Sequence, residues 1–462
     1  MRKYSFSHRE LYAPGHFGNW YEVARRFEIR DVLTEAKWWG FNWYGDWFDT
    51  ANLTSEPHLS KEFSHYWLTK ALWENKKTHL KDAQQLGFKL DLLVTPNHVY
   101  ADQVSKGILA KDLSPTQAKR RGIRFFGHLV CPSVPRARRI ILDNYTELLR
   151  DLARSGIHLD AVTYAAYDFG GCACRKCNPW IVTFAELSKE IHEIASEYFP
   201  GVRMRFCCWW WDFNDHNLFA NWADKHIPGK VEGVSLWIKY GEDKPASVPP
   251  GRLPDGCKEG YFIHIGYPDE GTNGDLYGRL GPVVAPNRIS KTLETLSSIH
   301  GEGFMAYSEG IFDDVNKAIL GGLSSGKFST VQEVLEEYAQ RYFEAKGLAV
   351  KEWADWITQW GKPSLVNLEK ARRIFNRLAS KAPNTWRLNH FASKVKLFEL
   401  NRRLEENRIP TRKRLAMAEA FLREYEALQR DIYGLSPLDE SVFKAIVGQP
   451  KWYHELESSN QQ

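Results

Sequence analysis

Two carboxylates draw attention by their positions. Asp168 follows the apolar run Leu159–Tyr167 (LDAVTYAAY), and Gly170-Gly171 comes just after it, where the backbone can turn sharply. Glu309 follows the run Gly303–Tyr307 (GFMAY), within Tyr-Ser-Glu-Gly. A pair of carboxyl groups is what hydrolysis of a glycosidic bond requires. One protonates the leaving oxygen, and the other attacks the anomeric centre or activates water. Each residue also has a plainer reading, Asp168 as a cap on a loop or helix and Glu309 as half of a structural ion pair. Asp212 and Glu270, after other apolar runs, stand in reserve.

Polar and aromatic residues crowd the same kind of position. Asn42 to Asp49 reads NWYGDWFD, Thr95 to His98 reads TPNH, and Trp209 to Asp212 reads WWWD. Trp237, Lys239 and Tyr240 close another run, and Tyr307-Ser-Glu-Gly leads on to Asp313, Asp314 and Asn316. Sugars suit such a surface, because their C–H faces pack on rings and their hydroxyls need amide or charged partners. The residues expected to line a saccharide site are Tyr44, Asp46, Trp47, Asn97, His98, Trp211, Asp212, Trp237, Glu270, Tyr307 and Asp314. The competing reading gives the large aromatics to the core. Arg136 reads as a residue at the start of a helix.

Cys172, Cys174 and Cys177 form the densest motif, C-x-C-x-x-C. Three thiolates at this spacing can surround one tetrahedral metal, with zinc the usual occupant. A fourth ligand would come from Cys131, Cys207, Cys208 or a histidine. Such a zinc is expected to be structural, holding the loop that carries Asp168, and catalysis itself calls for no cofactor. The plainer reading is three small buried thiols. The sequence has no Walker A loop, H-E-x-x-H, G-x-S-x-G or dinucleotide fingerprint.

These positions need a scaffold that brings strand ends together. Up to residue 326 the chain alternates short apolar runs with helical patterns, the rhythm of a parallel sheet buried on both faces. Eight strand candidates are Phe41–Trp47, Leu90–Pro96, Ile123–Cys131, Leu159–Tyr167, Val202–Trp210, Val231–Ile238, Tyr261–Gly266 and Gly303–Tyr307, and Ser5–Leu11 is a further one. Ile140–Leu152 carries apolar residues at helical spacing. The fold class expected is α/β, a (β/α)8 TIM barrel over residues 1–326 followed by an all-helical C-terminal domain over 327–462. An open doubly wound sheet is the alternative. The C-terminal part opens with the capping box Thr330-Val-Gln-Glu333, and its helical segments include Arg372–Leu378, Phe391–Leu404 and Leu415–Tyr433. It could mediate a homo-oligomer. In a barrel enzyme the chemistry lies at the C-terminal ends of the strands, where Asp168 and Glu309 fall.

The totals narrow the field further. The chain has 462 residues, 43% hydrophobic and 26% charged, enough apolar area for a large core. A formal charge of +5, with basic and acidic residues interspersed, gives no case for nucleic acid or an anionic membrane. The N-terminus lacks the apolar stretch of a signal peptide, and no apolar run is long enough to span a bilayer. The 7 cysteines are an odd number, so a cytoplasmic, reducing location is expected. On that reading the sequons at Asn52 and Asn144 carry no weight.

The segment Asp168-Phe-Gly-Gly-Cys-Ala-Cys-Arg-Lys-Cys177 resembles the Asp…Cys-x-Cys-x-x-Cys loop of barrel glycosidases related to glycoside hydrolase family 163, the endo-β-N-acetylglucosaminidases, and more distantly to the family 20 hexosaminidases. Tyr307 to Lys317 (YSEGIFDDVNK) is similar to a strand-end motif of bacterial proteins of the same general kind. The resemblance covers these two segments and the layout of barrel plus helices. It implies a glycoside hydrolase acting on a carbohydrate substrate. Family 20 members carry an Asp-Glu pair after the fourth strand, where this chain has Asp168-Phe169. The acid here is therefore Asp168 itself or comes from another strand. Two rival readings are a non-catalytic carbohydrate-binding protein on a barrel scaffold and a metal-dependent hydrolase using the Cys-x-Cys-x-x-Cys loop.

Overall fold

A computed structural model describes residues 4–16, 19–48, 65–100, 103–111, 129–166, 170–245, 251–270, 278–406 and 412–433, with side chains of the helix His65–Gln85 described from residue 73 on. Eight parallel strands close into a barrel in sequence order: β1 His8–Tyr12, β2 Trp43–Phe48, β3 Lys89–Val94, β4 Ala161–Ala165, β5 Arg203–Cys208, β6 Val231–Trp237, β7 Lys258–His264 and β8 Gly303–Tyr307. The expected TIM barrel is therefore present, with one exchange of strands. The N-terminal segment supplies β1, pairing with both β2 and β8. The Ile123–Cys131 candidate supplies none. Residues 123–128 of it lie outside the described residues, and Leu129–Cys131 is loop, tied to Leu109 by a single antiparallel bridge. Leu129, Val130 and Cys131 are buried under the rim, so burial rather than pairing explains their apolar character.

Side chains alternate across each strand, so the sheet has an inner and an outer face. In β3, Leu90, Leu92 and Val94 pack outward on helices while Leu93 points inward. Helices cover the outside. Pro135–Arg154, for instance, buries Ile141, Tyr145, Leu148, Leu149 and Leu152, while Ile140 and Leu142, expected on the same stripe, are half-buried beside it. Asn144, the second sequon residue, is buried on this helix and exchanges hydrogen bonds with Gln103.

The barrel interior is polar toward the N-terminal ends of the strands. Arg205 of β5 pairs with Glu302, Asp91 of β3 accepts from Thr163 of β4, and Glu10 of β1 bonds His8 at 2.8 Å. Burial and the neighbouring Asp91 push the Glu10 carboxyl well up, and burial with Arg205 nearby pushes His8 well down. Such large polar groups fit because adjoining strands carry glycine. A Cβ at Gly45 would collide with Glu10 Oε1, and one at Gly233 would stand 2.6 Å from both Arg205 Nη1 and Glu302 Oε1. Above this plug comes an apolar layer that includes Tyr12, Trp47, Leu93, Ala165, Cys207, Phe262 and Met305.

Beyond the barrel helix Asp314–Ser324 the described residues are predominantly helical. Thr330 caps Val331–Phe343 with the reciprocal Glu333 bonds expected of its capping box. Helices Leu348–Thr358, Leu368–Ala379, Trp386–Glu406 and Arg412–Tyr433 follow, the last three containing the helical segments anticipated there. This region is packed on the barrel: Trp39 Nε1 donates to Tyr342 Oη at 2.9 Å, Arg341 pairs with Glu35 at 2.8 Å, and one apolar core runs through both parts. No helix among the described residues is long and apolar enough to cross a membrane.

Candidate active site

Glu309 stands two residues beyond β8, at the C-terminal end of the barrel. Its main chain is held from several sides. Ser308 N donates to Tyr12 O at 2.9 Å and Trp20 N donates to Glu309 O at 3.3 Å. Lys317 Nζ donates to Gly310 O and pairs with buried Asp313, both at 2.7 Å. Ser308 Oγ donates to Asp313 at 3.1 Å and meets Tyr21 Oη at 2.8 Å. The half-buried carboxyl of Glu309 accepts a hydrogen bond from Tyr307 Oη, which also lies 3.1 Å from His16 Nε2. Burial is the main influence on this carboxyl. It outweighs the Tyr307 bond and, with the charge of Asp313 adding to it, pushes the pKa to about 7.

Around this carboxyl the rim is built of rings. His264 on β7 lies 5.1 Å from both Tyr307 and Trp209, and 4.2 Å from Tyr240. Tyr240 stacks on Tyr267 at 5.3 Å, while Trp237 meets Trp209 at 5.1 Å and Trp210 at 4.2 Å. On the other flank His16 stacks on Tyr307 at 6.0 Å and meets Trp47 edge-on at 5.4 Å. Trp210 has φ 62°, a left-handed conformation that a bulky residue adopts only at a cost. That turn lets three successive tryptophans diverge, Trp209 and Trp210 toward the mouth and Trp211 outward. Several polar atoms here are buried without a hydrogen-bond partner among the described residues: both ring nitrogens of His264, Nε1 of Trp237 and Oδ1 of Asn97. Burial, helped by Arg288, holds His264 well below the usual imidazole range, so it is neutral at pH 7.

The anticipated lining residues separate into two groups. Trp47, Trp237 and Tyr307 face the barrel interior around Glu309. Asn97 and His98 are buried beyond β3, next to Thr95, whose hydroxyl accepts from Trp47 Nε1 at 2.8 Å. The others face elsewhere. Tyr44 and Asp46 occupy outward positions of β2, because Trp43, Gly45 and Trp47 take the inward ones. Asp46 pairs with Lys76 at 2.7 Å, and Lys76 also donates to Gly15 O at 2.7 Å. These bonds brace the loop that presents His16. Trp211 packs outward on Phe184, Phe206 and Phe219. Asp212 is the N-cap of Phe213–His226, in a capping box with Asp215. Glu270 accepts from Ser364 N at 3.0 Å, and Asp314 holds Arg387 through two bonds of 2.6 and 3.0 Å, so both tie the barrel to the C-terminal helices. Their acidity reads like site chemistry in sequence, yet each is spent on cap or tether.

Asp168, the other catalytic candidate, lies outside the described residues. Its chain neighbours on either side are β4, ending at Ala165, and the cysteine loop. Cys172, Cys174 and Cys177 gather with Cys131, all four sulfur atoms within 4.8 Å of one another. Sequence reasoning passed over His16 and His264. His264 carried a usable signal, a polar residue directly after the apolar run Tyr261–Ile263.

No protein-family model matches the chain, and no curated protein matches it in sequence. Solved structures do resemble it. CpGH84B superposes with a TM-score of 0.51 at 12% identity, over 94% of this chain and 75% of that one. A Thermobaculum terrenum O-GlcNAc hydrolase gives 0.46 at 10% identity over 93% and 91%, and a beta-N-acetylhexosaminidase 0.44 at 11% over 74% and 78%. The likeness is one of fold. At this level of identity it places the strand ends in the usual barrel arrangement and leaves the chemistry to the side chains.

Proposed function

We propose that this protein is a glycoside hydrolase in which Glu309 is the general acid and Asp168 the second carboxylate. The observation that carries the reading is Glu309 itself. It is a carboxyl at a barrel's C-terminal mouth, raised by burial to about 7 and bonded by Tyr307, which packs in the same aromatic rim as His16, Trp47, Trp209 and Trp237. A carboxyl with that pKa is about half protonated at neutral pH, the condition for donating a proton to a leaving alkoxide and taking it back later.

In the reaction, the bond between the anomeric carbon and the bridging oxygen breaks as Glu309 delivers its proton to that oxygen. Asp168, as the ionised partner, stabilises or attacks the anomeric centre. Water then supplies hydroxyl to that carbon and its proton to Glu309, which restores both carboxyl groups. The indole and phenol rings give the sugar's C–H faces a surface to stack on. The unpaired polar atoms of His264, Trp237 and Asn97 would find partners in its hydroxyls. The narrower kinship with family 163, and with it an N-acetylglucosaminide substrate, rests on the cysteine and Tyr-Ser-Glu-Gly motifs.

The test is turnover of a panel of aryl glycosides, N-acetylglucosaminides included, and of free and protein-linked glycans by wild type, Asp168→Asn and Glu309→Gln. Either amide should cut kcat by orders of magnitude while the chain stays folded. Full activity in Glu309→Gln rejects its role as acid. Sugar binding without turnover by any variant points to the carbohydrate-binding reading instead.

A further inference from the structure

The cysteines at the rim belong to two different loops. Cys131 precedes the helix Pro135–Arg154, which follows β3 in the barrel order, and Cys172, Cys174 and Cys177 lie between β4 and the helix Trp180–Tyr198. Cys131, Cys172 and Cys177 are buried, and Cys174 is half-buried. We infer that these four thiols are a structural zinc site that clamps the β3 and β4 loops together on the face of the barrel where Glu309 stands.

The geometry has the dimensions of a metal tetrahedron. With Zn–S bonds of about 2.3 Å, the sulfur atoms at the corners stand about 3.8 Å apart. Cys131 Sγ lies 3.8 Å from Cys174 Sγ and 3.6 Å from Cys177 Sγ. A disulfide needs about 2.05 Å, and all the cysteines are free. Polar donors surround the sulfur atoms. The backbone amides of Lys176 and Cys177 support the Cys174 sulfur, that of Cys174 supports Cys172, and Ser133 Oγ lies 2.9 Å from Cys177 Sγ. Such amide and hydroxyl contacts orient metal ligands and spread their charge. Four thiolates around Zn2+ leave two negative charges, and Arg138 acts on Cys177 while Arg175 and Lys176 fall inside the motif. Because all four corners are filled by protein, the ion has no position open to substrate and acts as a staple. The motif begins four residues after Asp168, so the clamp fixes the base of the loop that carries it.

The site can be tested on the full chain without reference to any activity. Zinc is measured per chain after exhaustive dialysis, and the stripped, reduced protein is titrated with Co2+. One Zn2+ per chain is expected. Co2+ should give the intense visible bands and sulfur-to-metal charge transfer of a tetrahedral four-thiolate centre, bleached by added Zn2+. Cys131→Ser should weaken Zn2+ binding at least tenfold and alter the Co2+ spectrum, whereas Cys257→Ser, outside the cluster, should change neither. If Cys131→Ser does not fold, the wild-type spectrum still decides. Folded, reduced wild type that takes up neither ion overturns the site, and a Cys131→Ser spectrum identical to wild type overturns the four-ligand assignment.

Discussion

Tyr307→Phe offers a test of Glu309 in which the sign of the effect matters more than its size. Burial raises the Glu309 carboxyl from its usual 4.5 to about 7, a gap worth about 3 kcal/mol at 1.36 kcal/mol per pH unit. The Tyr307 hydroxyl works against that rise, because it donates to the carboxylate and stabilises the charged form. A hydrogen bond to a charged group contributes about 1.5–3 kcal/mol net. Part of that is recovered by relaxation or solvent, so removing the hydroxyl should move the pKa up by about one pH unit. If Glu309 must be protonated to act, wild-type kcat/KM falls tenfold per pH unit above about 7, and in Tyr307→Phe the fall begins near pH 8. The assay is kcat/KM from pH 5 to 10 on the best substrate of the panel. A limb that stays put or moves to lower pH would refute the role of Glu309 as the titrating acid. Stability offers a parallel check with its own sign. The folded pKa lies above the unfolded one, so this group's contribution is complete below pH 4.5 and is lost as pH rises through about 7. Measured against Glu309→Gln, wild type should lose up to about 3 kcal/mol across that window.

Three further substitutions separate structural roles from functional ones. His264→Phe keeps the aromatic packing and removes a buried imidazole without a hydrogen-bond partner among the described residues, so Tm should hold or rise while kcat/KM falls about tenfold, the value of one lost substrate hydrogen bond. A fallen Tm with unchanged kinetics would make His264 a packing residue. Asp314→Asn leaves Arg387 without its half-buried counter-charge and should lower stability by about 1.5–3 kcal/mol in denaturant unfolding. Its kcat per folded molecule should be unchanged, and a large drop in kcat would return Asp314 to the site. Gly45→Ala drives a methyl group against the Glu10 carboxyl inside a closed barrel and should cost about 1–3 kcal/mol, read as a lower Tm. No change in Tm would show that the polar plug is looser than its packing implies.

The barrel was legible in the sequence because its strands are buried on both faces and so appear as apolar runs, a signal that survives without knowledge of pairing. The same signal misled at Ile123–Cys131. There Leu129–Cys131 is buried by the rim without joining the sheet, while β1, the further candidate, carries Arg9 and Glu10 in its middle and is no apolar run. What rescues β1 is visible only in three dimensions: Glu10 belongs to a plug that Asp91, Arg205 and Glu302 share, and glycines on neighbouring strands make room for it. A buried polar network defeats a rule that equates interior with apolar.

The site shows a different limit, one of direction along the chain. Being close to a strand end was enough to nominate a residue, but which way its side chain points depends on the parity of its position in the strand. Trp43, Gly45 and Trp47 point inward, so Tyr44 and Asp46 must face the helices, where Asp46 meets Lys76. Parity could have been read from β2 alone, had the interior residue at any one position been known. Beyond the strand even parity fails. Trp209 and Trp210 turn to the mouth while Trp211 turns away, because Trp210 takes a left-handed backbone that no spacing rule anticipates. Acids beyond the strands divide by what lies near them in space. Asp212 is consumed by its own helix and Asp314 by Tyr338 and an arginine 73 residues later, whereas Glu309 meets Tyr307 at the ring-lined mouth. A carboxyl supported by a neutral donor and pushed up by burial can lose and regain a proton near pH 7. A carboxylate locked to a guanidinium, as Asp314 is, cannot, and that contrast rather than acidity or location is what favours Glu309 as the proposed acid.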